Sequence, residues 1–351
     1  MKPCTEVSDA SSATRWHNTR RVCTLIRPFD PSPTCRLSAA IVLLLVLPVD
    51  LFVACAGSVP VGLTLHATGK SSNSHRSGSV KKRAPGALVI GCWSAPQNLD
   101  REYFSWLAEM NFTHTLYWRS PEIRPEQWRK DLDSAANSGI TLIFDSWQPA
   151  AIPEPWLHSV LSTACSAPAF GGVYAPDEPG YRYSRETKDR VPSPQRLQSA
   201  YQEIRQCGRG ALFLVDAFSA EEYWVRRFVP FSGVFGLDVY PFKAGVDWAE
   251  KTRQATHRAV KLAGSRPVWM VLQGHGRADW YQYATHRLNL ELPVETAPRP
   301  TPDVLEGMAR AALNSGAQGI WWWSFELYDW KNPEHRKFIL QFKDVNRRLK
   351  N

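Results

Sequence analysis

Between residues 86 and 351 the chain alternates short apolar runs with amphipathic stretches eight times, and this repeat restricts the fold more than any other feature. The runs cover residues 88–93, 114–118, 141–147, 172–175, 211–217, 234–240, 267–273 and 319–325. They are continuously apolar, the pattern of strands buried on both faces of a parallel sheet. The stretches between them carry helix signals. Residues 100–110 open on Asp100 and gather Phe104, Leu107 and Ala108 on one face, and residues 124–138 run into Gly139. Ser193-Pro194 and Thr301-Pro302 each set a capping residue before a first-turn proline, and Gly208 and Gly316 close the helices so begun. Residues 155–165, 220–228, 247–263 and 333–349 complete the set.

Eight βα units predict a (β/α)8 TIM barrel over residues 86–351, since such barrels take about 250 residues. A doubly wound open sheet would need a glycine-rich phosphate turn after the first strand. Gly91-Cys92-Trp93-Ser94-Ala95-Pro96 stands there instead, and the sequence holds neither GxGxxG nor a P-loop. No cofactor and no metal are expected. The absence of a Gly-x-Ser-x-Gly elbow argues against an α/β-hydrolase. The longest interval between strands, residues 274–300, is rich in aromatics, His and Pro and reads as a long loop at the mouth of the barrel.

The preceding residues read as export and tether. Arg36 stands before the apolar run at residues 39–47, which has the length of a signal-peptide core and is too short to span a bilayer comfortably. Leu51-Phe52-Val53-Ala54-Cys55-Ala56 follows and resembles a bacterial lipoprotein box, which implies lipidation at Cys55, with Phe52 where Leu is usual. Residues 1–55 are thus read as leader and 56–85 as a flexible basic linker, in which Lys70-Ser71-Ser72-Asn73-Ser74 is too polar to form a core. The expected location is the cell envelope, through a lipid anchor at Cys55 or by secretion.

The net charge of +9 suggests a nucleic-acid partner until its location is traced. Residues 1–85 hold 11 Lys/Arg against 4 Asp/Glu, whereas the predicted barrel is nearly balanced. A nucleic-acid footprint belongs on the folded domain, so none is expected. Of the seven cysteines, Cys92, Cys165 and Cys207 lie in the barrel. No pair has zinc-ligand spacing; a Cys165–Cys207 disulfide and buried free thiols are the alternatives.

In a barrel the C-terminal strand ends converge on one pocket. Read in order they give Trp93; Tyr117 and Trp118; Asp145 and Trp147; Tyr174, Asp177 and Glu178; Asp216; Asp238 and Tyr240; Gln273 and His275; and Trp323, Glu326 and Tyr328. This is a cup of carboxylates and aromatic rings. Aromatic faces stack on the C–H faces of sugars, and carboxylates bind hydroxyls and move protons. A carbohydrate is the expected ligand, with Trp93, Trp118, Asp145, Trp147, Tyr174, Asp177, Tyr240, Gln273 and Trp323 as binding residues. His275 has no evident triad partners and reads as a polar group of the loop.

The sharpest segment is Gly172-Val173-Tyr174-Ala175-Pro176-Asp177-Glu178-Pro179, a strand running into adjacent carboxyls. It resembles the fourth-strand end of TIM-barrel glycoside hydrolases, where a Glu is the acid/base. Leu237-Asp238-Val239-Tyr240-Pro241, Val268-Trp269-Met270-Val271-Leu272-Gln273 and Gly316-Ala317-Gln318-Gly319-Ile320-Trp321-Trp322-Trp323 are similar to other strands of that superfamily. The resemblance implies hydrolysis of an oligo- or polysaccharide, with Glu178 as general acid/base and Glu326 or Asp238 as second carboxylate. Retaining members of the superfamily end the seventh strand in a nucleophilic Glu. Gln273 holds that place, and an amide cannot serve as that nucleophile. Substrate assistance through the Asp177-Glu178 pair, or a barrel that binds sugar without cleaving it, are the alternatives.

Overall fold

The eight apolar runs become eight parallel strands: β1 (Val89–Cys92), β2 (His114–Trp118), β3 (Thr141–Asp145), β4 (Phe170–Tyr174), β5 (Ala211–Ala217), β6 (Val234–Val239), β7 (Trp269–Gln273) and β8 (Gly319–Trp323). They close in sequence order, with β1 pairing β8 from Val89↔Gly319 to Cys92↔Trp322. The expected (β/α)8 barrel is therefore the fold. The computed structural model describes residues 88–93, 101–118, 124–145, 152–174, 177–185, 191–241, 245–276, 279, 299–323, 325–329 and 331–351. The leader with Cys55, the linker, Trp147 and most of the 274–300 segment lie outside these residues, as do the side chains of Trp118 and Glu326.

The helices are α1 (Arg101–Glu109), α2 (Pro125–Asn137), α3 (Glu154–Ala164), α4 (Pro179–Arg185), α5 (Pro194–Gln206), α6 (Glu222–Phe228), α7 (Trp248–Ala263), α8 (Pro302–Asn314) and α9 (Pro333–Lys350). Ser193 and Thr301 cap helices where the sequence places them, and Asp247 adds a further cap; each accepts a backbone N–H three residues on. Gly139 ends α2 with φ +71°, while Ile140 N–H donates back to Ala135 O at 2.9 Å. The short helix α4, directly after Glu178, is absent from the sequence reading. Among the described residues no helix is long and apolar enough to cross a membrane.

Strand alternation sorts the side chains into two cores. One lies between sheet and helices. There Trp322 packs edge-on to Phe342 at 5.3 Å, and its Nε1 donates to Asn346 Oδ1 at 3.0 Å. Asn346 in turn donates to Met110 O at 3.0 Å, so this buried amide has partners at both ends. The other core fills the barrel with Leu116, Ile143, Phe213, Val215, Val234, Val271 and Trp321, under Trp93 and Tyr174. Trp321 stacks on Trp269 and lies 5.3 Å from Phe213. Aromatic rings thus replace many of the branched aliphatic side chains usual in barrel interiors. Gly91 makes this packing feasible, since a Cβ there would lie 2.2 Å from the Trp321 ring. Cys165 and Cys207, at the C-terminal ends of α3 and α5, form a disulfide; Cys92 is buried and stands outside any disulfide.

Candidate active site at the barrel mouth

The inward positions at the C-terminal strand ends bring Trp93, Asp145, Tyr174, Asp238, Gln273 and Trp323 to one face, with Glu178 and Tyr240 just beyond β4 and β6. The aromatic rings form a floor and one wall. Trp93 meets Tyr174 edge-on at 4.9 Å and Trp321 at 5.8 Å. Tyr240 lies over Trp323 at 4.7 Å, and His275 meets the Trp323 ring edge-on at 4.4 Å.

The carboxyls divide into a pair and two supports. Glu178 and Asp238 hydrogen-bond each other, and Tyr240 hydrogen-bonds Asp238. Asp238 is buried, which pushes its pKa well above the ordinary carboxylate range. The charge and hydrogen bond of Glu178 add to the rise, followed by the charges of Asp177 and Asp216. Two carboxyls in such contact cannot both ionise without strong repulsion, so the pair holds a proton. Glu178 itself is half-buried and is the more outward member.

Asp177 is the first support. It accepts from Tyr174 Oη at 2.8 Å and from the Arg182 guanidinium at 2.8 Å, and Arg182 Nε also donates to its carbonyl. Burial, and then the Asp177 charge, hold the Tyr174 phenol protonated well above its usual range. Asp216 is the second. It points out of the barrel interior, its Oδ2 accepting from Gly180 N at 2.7 Å and its Oδ1 from Tyr181 N and Ala217 N at 3.0 Å. Burial raises its pKa to about 7, against the lowering effect of these three N–H groups. Between the supports, Glu178 has φ +48°, a left-handed conformation costing about 1–2 kcal/mol in a residue with a Cβ. Strain of this kind persists where the surroundings over-determine it. Here Glu178 N donates to Val215 O at 3.2 Å and Arg182 N to Glu178 O at 2.9 Å.

Gln273 is wholly buried. Its Nε2 donates to His275 O at 2.9 Å, and its Oε1 has no hydrogen-bond partner among the described residues. His275, read in the sequence as a polar loop group, is completely buried. Its Nδ1 lies 3.1 Å from Trp323 O, and burial lowers its pKa to about 4, so the ring is neutral. No sequence signal marks that burial, because it depends on how the turn after β7 folds over Trp323.

Three residues of the strand-end reading do not join the cup. Tyr117 and Asp216 fall on the outward phase of β2 and β5, and the Tyr117 hydroxyl donates to Asp131 of α2 at 2.5 Å. Tyr328 donates to Asp279 at 2.8 Å, in a cluster where Arg299 grips Asp279 with two nitrogens. Trp118 lies beside Asp145 in the β2–β3 register, and Glu326 lies in the 3-10 turn Phe325–Leu327 after β8. Among the described residues no group of three or more His, Cys, Asp or Glu is arranged to hold a metal ion.

No protein-family model and no curated protein sequence matches this chain. Solved structures do. A protein from Bacteroides thetaiotaomicron assigned as an α-L-fucosidase superposes with a TM-score of 0.51 at 10% identity, over 78% of this chain and 99% of the other. A β-galactosidase from the haloarchaeon Halorubrum lacusprofundi gives 0.52 at 10% identity, covering 74% of this chain and 58% of that enzyme. One from the psychrophile Marinomonas ef1 gives 0.52 at 8%, covering 75% and 60%. The chain thus spans somewhat over half the length of both β-galactosidases. At such identities the likeness is one of fold, a barrel scaffold shared with these proteins.

Proposed function

We propose that the chain is a glycoside hydrolase of the cell envelope acting on an oligo- or polysaccharide. Glu178 is its general acid/base and Asp238 the partner with which it shares a proton. The observation that carries this reading is the Glu178–Asp238 hydrogen bond inside a cup of aromatic rings. A carboxyl pair sharing one proton supplies an acid near neutrality, which departure of a sugar oxygen requires. Glu178 is the donor because it is the more exposed of the two. Their hydrogen bond is a closer arrangement than the separated acid and nucleophile of retaining enzymes. The second carboxylate is therefore Asp238 after a bound sugar parts the pair, or Glu326 on the turn after β8. Trp93, Trp118, Asp145, Trp147, Tyr174, Tyr240, Gln273 and Trp323 are the proposed sugar contacts, and Asp177 sets the Tyr174 hydroxyl. The Cys165–Cys207 disulfide suits an oxidising compartment and so supports export, with lipidation at Cys55.

One observation favours a second reading: the end of β7 carries an amide, Gln273, rather than a carboxylate. On that reading the barrel binds sugar without cleaving it. Release of reducing ends from a panel of neutral, acidic and amino-sugar polysaccharides separates the two. Hydrolysis of at least one polymer is expected, and Glu178→Gln should slow it by about 100-fold or more without lowering the melting temperature. Near-normal turnover in Glu178→Gln would overturn the assignment of the acid. Binding of a polymer with no cleavage by the native protein would establish the second reading.

A further inference from the structure

Glu178 occupies a backbone conformation that its own residue type disfavours, and the chain around it shows what holds it there. The strand β4 ends at Tyr174, and α4 begins at Pro179, so Glu178 is the hinge between them. From β5, Val215 O accepts the Glu178 N–H. The next residue of β5, Asp216, is fully buried and accepts the two N–H groups at Gly180 and Tyr181 that α4 leaves without intrahelical partners. Both of its oxygens are engaged, Oδ1 also taking its neighbour Ala217 N–H. The fit is close enough that a Cβ at Gly180 would lie 2.4 Å from Asp216 Oδ2.

We propose that Asp216 is the positioning residue for Glu178: by gripping the first turn of α4 with both carboxylate oxygens, it fixes the left-handed hinge that presents Glu178 to Asp238. Asp216 touches no substrate. Its role rests on the reading of Glu178 as the acid, but its effect on the carboxyl pair does not require that reading. All three groups it binds are N–H donors, so the requirement is for an acceptor at each oxygen. An Asn in its place would turn an NH2 toward one of those donors, leaving it without a partner.

The test combines kinetics with carboxyl titration on the full chain. Asp216→Asn, Glu178→Gln and the double variant are assayed on whichever polysaccharide the native protein cleaves, and glutamate and aspartate side chains are followed by carbon-13 NMR across pH. Asp216→Asn is expected to lower kcat by about 100-fold with KM changed by less than about threefold, the scale of loss for a misplaced catalytic group. It should also shift the titration of the Glu178–Asp238 pair, and it should cost the Glu178→Gln variant nothing further. Unchanged titration of the pair in folded Asp216→Asn, or an equal loss of kcat in the Glu178→Gln background, would overturn the proposal. Should Asp216→Asn fail to fold, Asp216→Glu, which keeps the charge and displaces it by one methylene, is read against the same outcomes. A titration shifted in Asp216→Glu, which keeps the charge that acts on Asp238, without hydrolysis by any form would sustain Asp216 as the positioning residue and defeat the glycosidase reading. Loss of turnover in Glu178→Gln with no titration shift in Asp216→Asn would do the reverse.

Discussion

The Glu178 and Asp238 carboxyls hydrogen-bond each other across the barrel mouth, joining the end of β4 to the end of β6. That contact needs a proton. As the pH rises the proton is lost and two negative charges face each other in a buried site. Sites of this kind exchange stability for chemistry.

Asp238→Asn should therefore stabilise the fold at alkaline pH. The folded Asp238 has a raised pKa, so its contribution to stability is fully present below its unfolded value of about 4 and is lost as pH rises through the folded value. The amide keeps a donor toward Glu178 and cannot ionise. We expect a gain of about 0.5–2 kcal/mol at pH about 8 and little change at pH about 4, read from urea unfolding at both. Turnover should fall at the same time. A loss of stability at pH about 8 would show that the pair is not strained by ionisation.

His275 has the opposite sign. Burial lowers its pKa from 6.5 to about 4, so the native state prefers the neutral ring. The resulting stability is fully present above pH about 6.5 and is lost as pH falls toward about 4, a total of about 3 kcal/mol. His275→Asn should remove this dependence. The difference in unfolding free energy between native protein and variant should narrow steadily from pH about 7 to about 4. A difference that stays constant over that range would mean that the ring titrates alike in the folded and unfolded states.

The disulfide between Cys165 and Cys207 closes a loop of 42 residues and ties the end of α3 to the end of α5. In the chain-entropy account such a loop contributes about 4 kcal/mol. Cys165→Ser should lower the unfolding free energy by roughly that amount, and dithiothreitol should have the same effect on the native protein. Peptide mapping of the unreduced chain should recover the linked pair. Recovery of both as free thiols from protein directed through a secretory pathway would refute the pairing.

Periodicity made the barrel legible, because each strand is a continuous apolar run and α2, α5, α7, α8 and α9 each carry a cap or a glycine stop. The mouth was legible only as a set of strand ends. Asp216 and Tyr117 show why: one step along a strand turns a side chain from the cup to the helices, and the short sequence runs do not fix that phase. Tyr240, Gln273 and Trp323 fell on the right side of it. The Glu178–Asp238 contact could not be read, since it depends on how far two strands separated by 60 residues lean toward each other. Helix α4 was hidden by its length of seven residues and by Pro179, which reads equally well as a loop.

Gly91 and Trp321 decide how the floor of the site is packed. A Cβ at residue 91 would meet three ring atoms of Trp321 at 2.2–2.6 Å, and the two residues sit opposite each other in the β1–β8 register. Backbone on both sides is fixed by the closed barrel, so Trp321 must yield. Gly91→Ala should cost about 1–3 kcal/mol or more through overpacking. Trp321→Leu alone should cost about as much by opening a cavity. Together the methyl group of the first fills part of the space vacated by the second. The double variant should therefore be more stable than the sum of the single losses by at least about 1 kcal/mol. Trp321 also supports Trp93 from below at 5.8 Å, so the same double variant should weaken sugar binding even where stability is restored. Additive losses in a urea double-mutant cycle would mean that the barrel relaxes around residue 91 and that the ring is not locked in place.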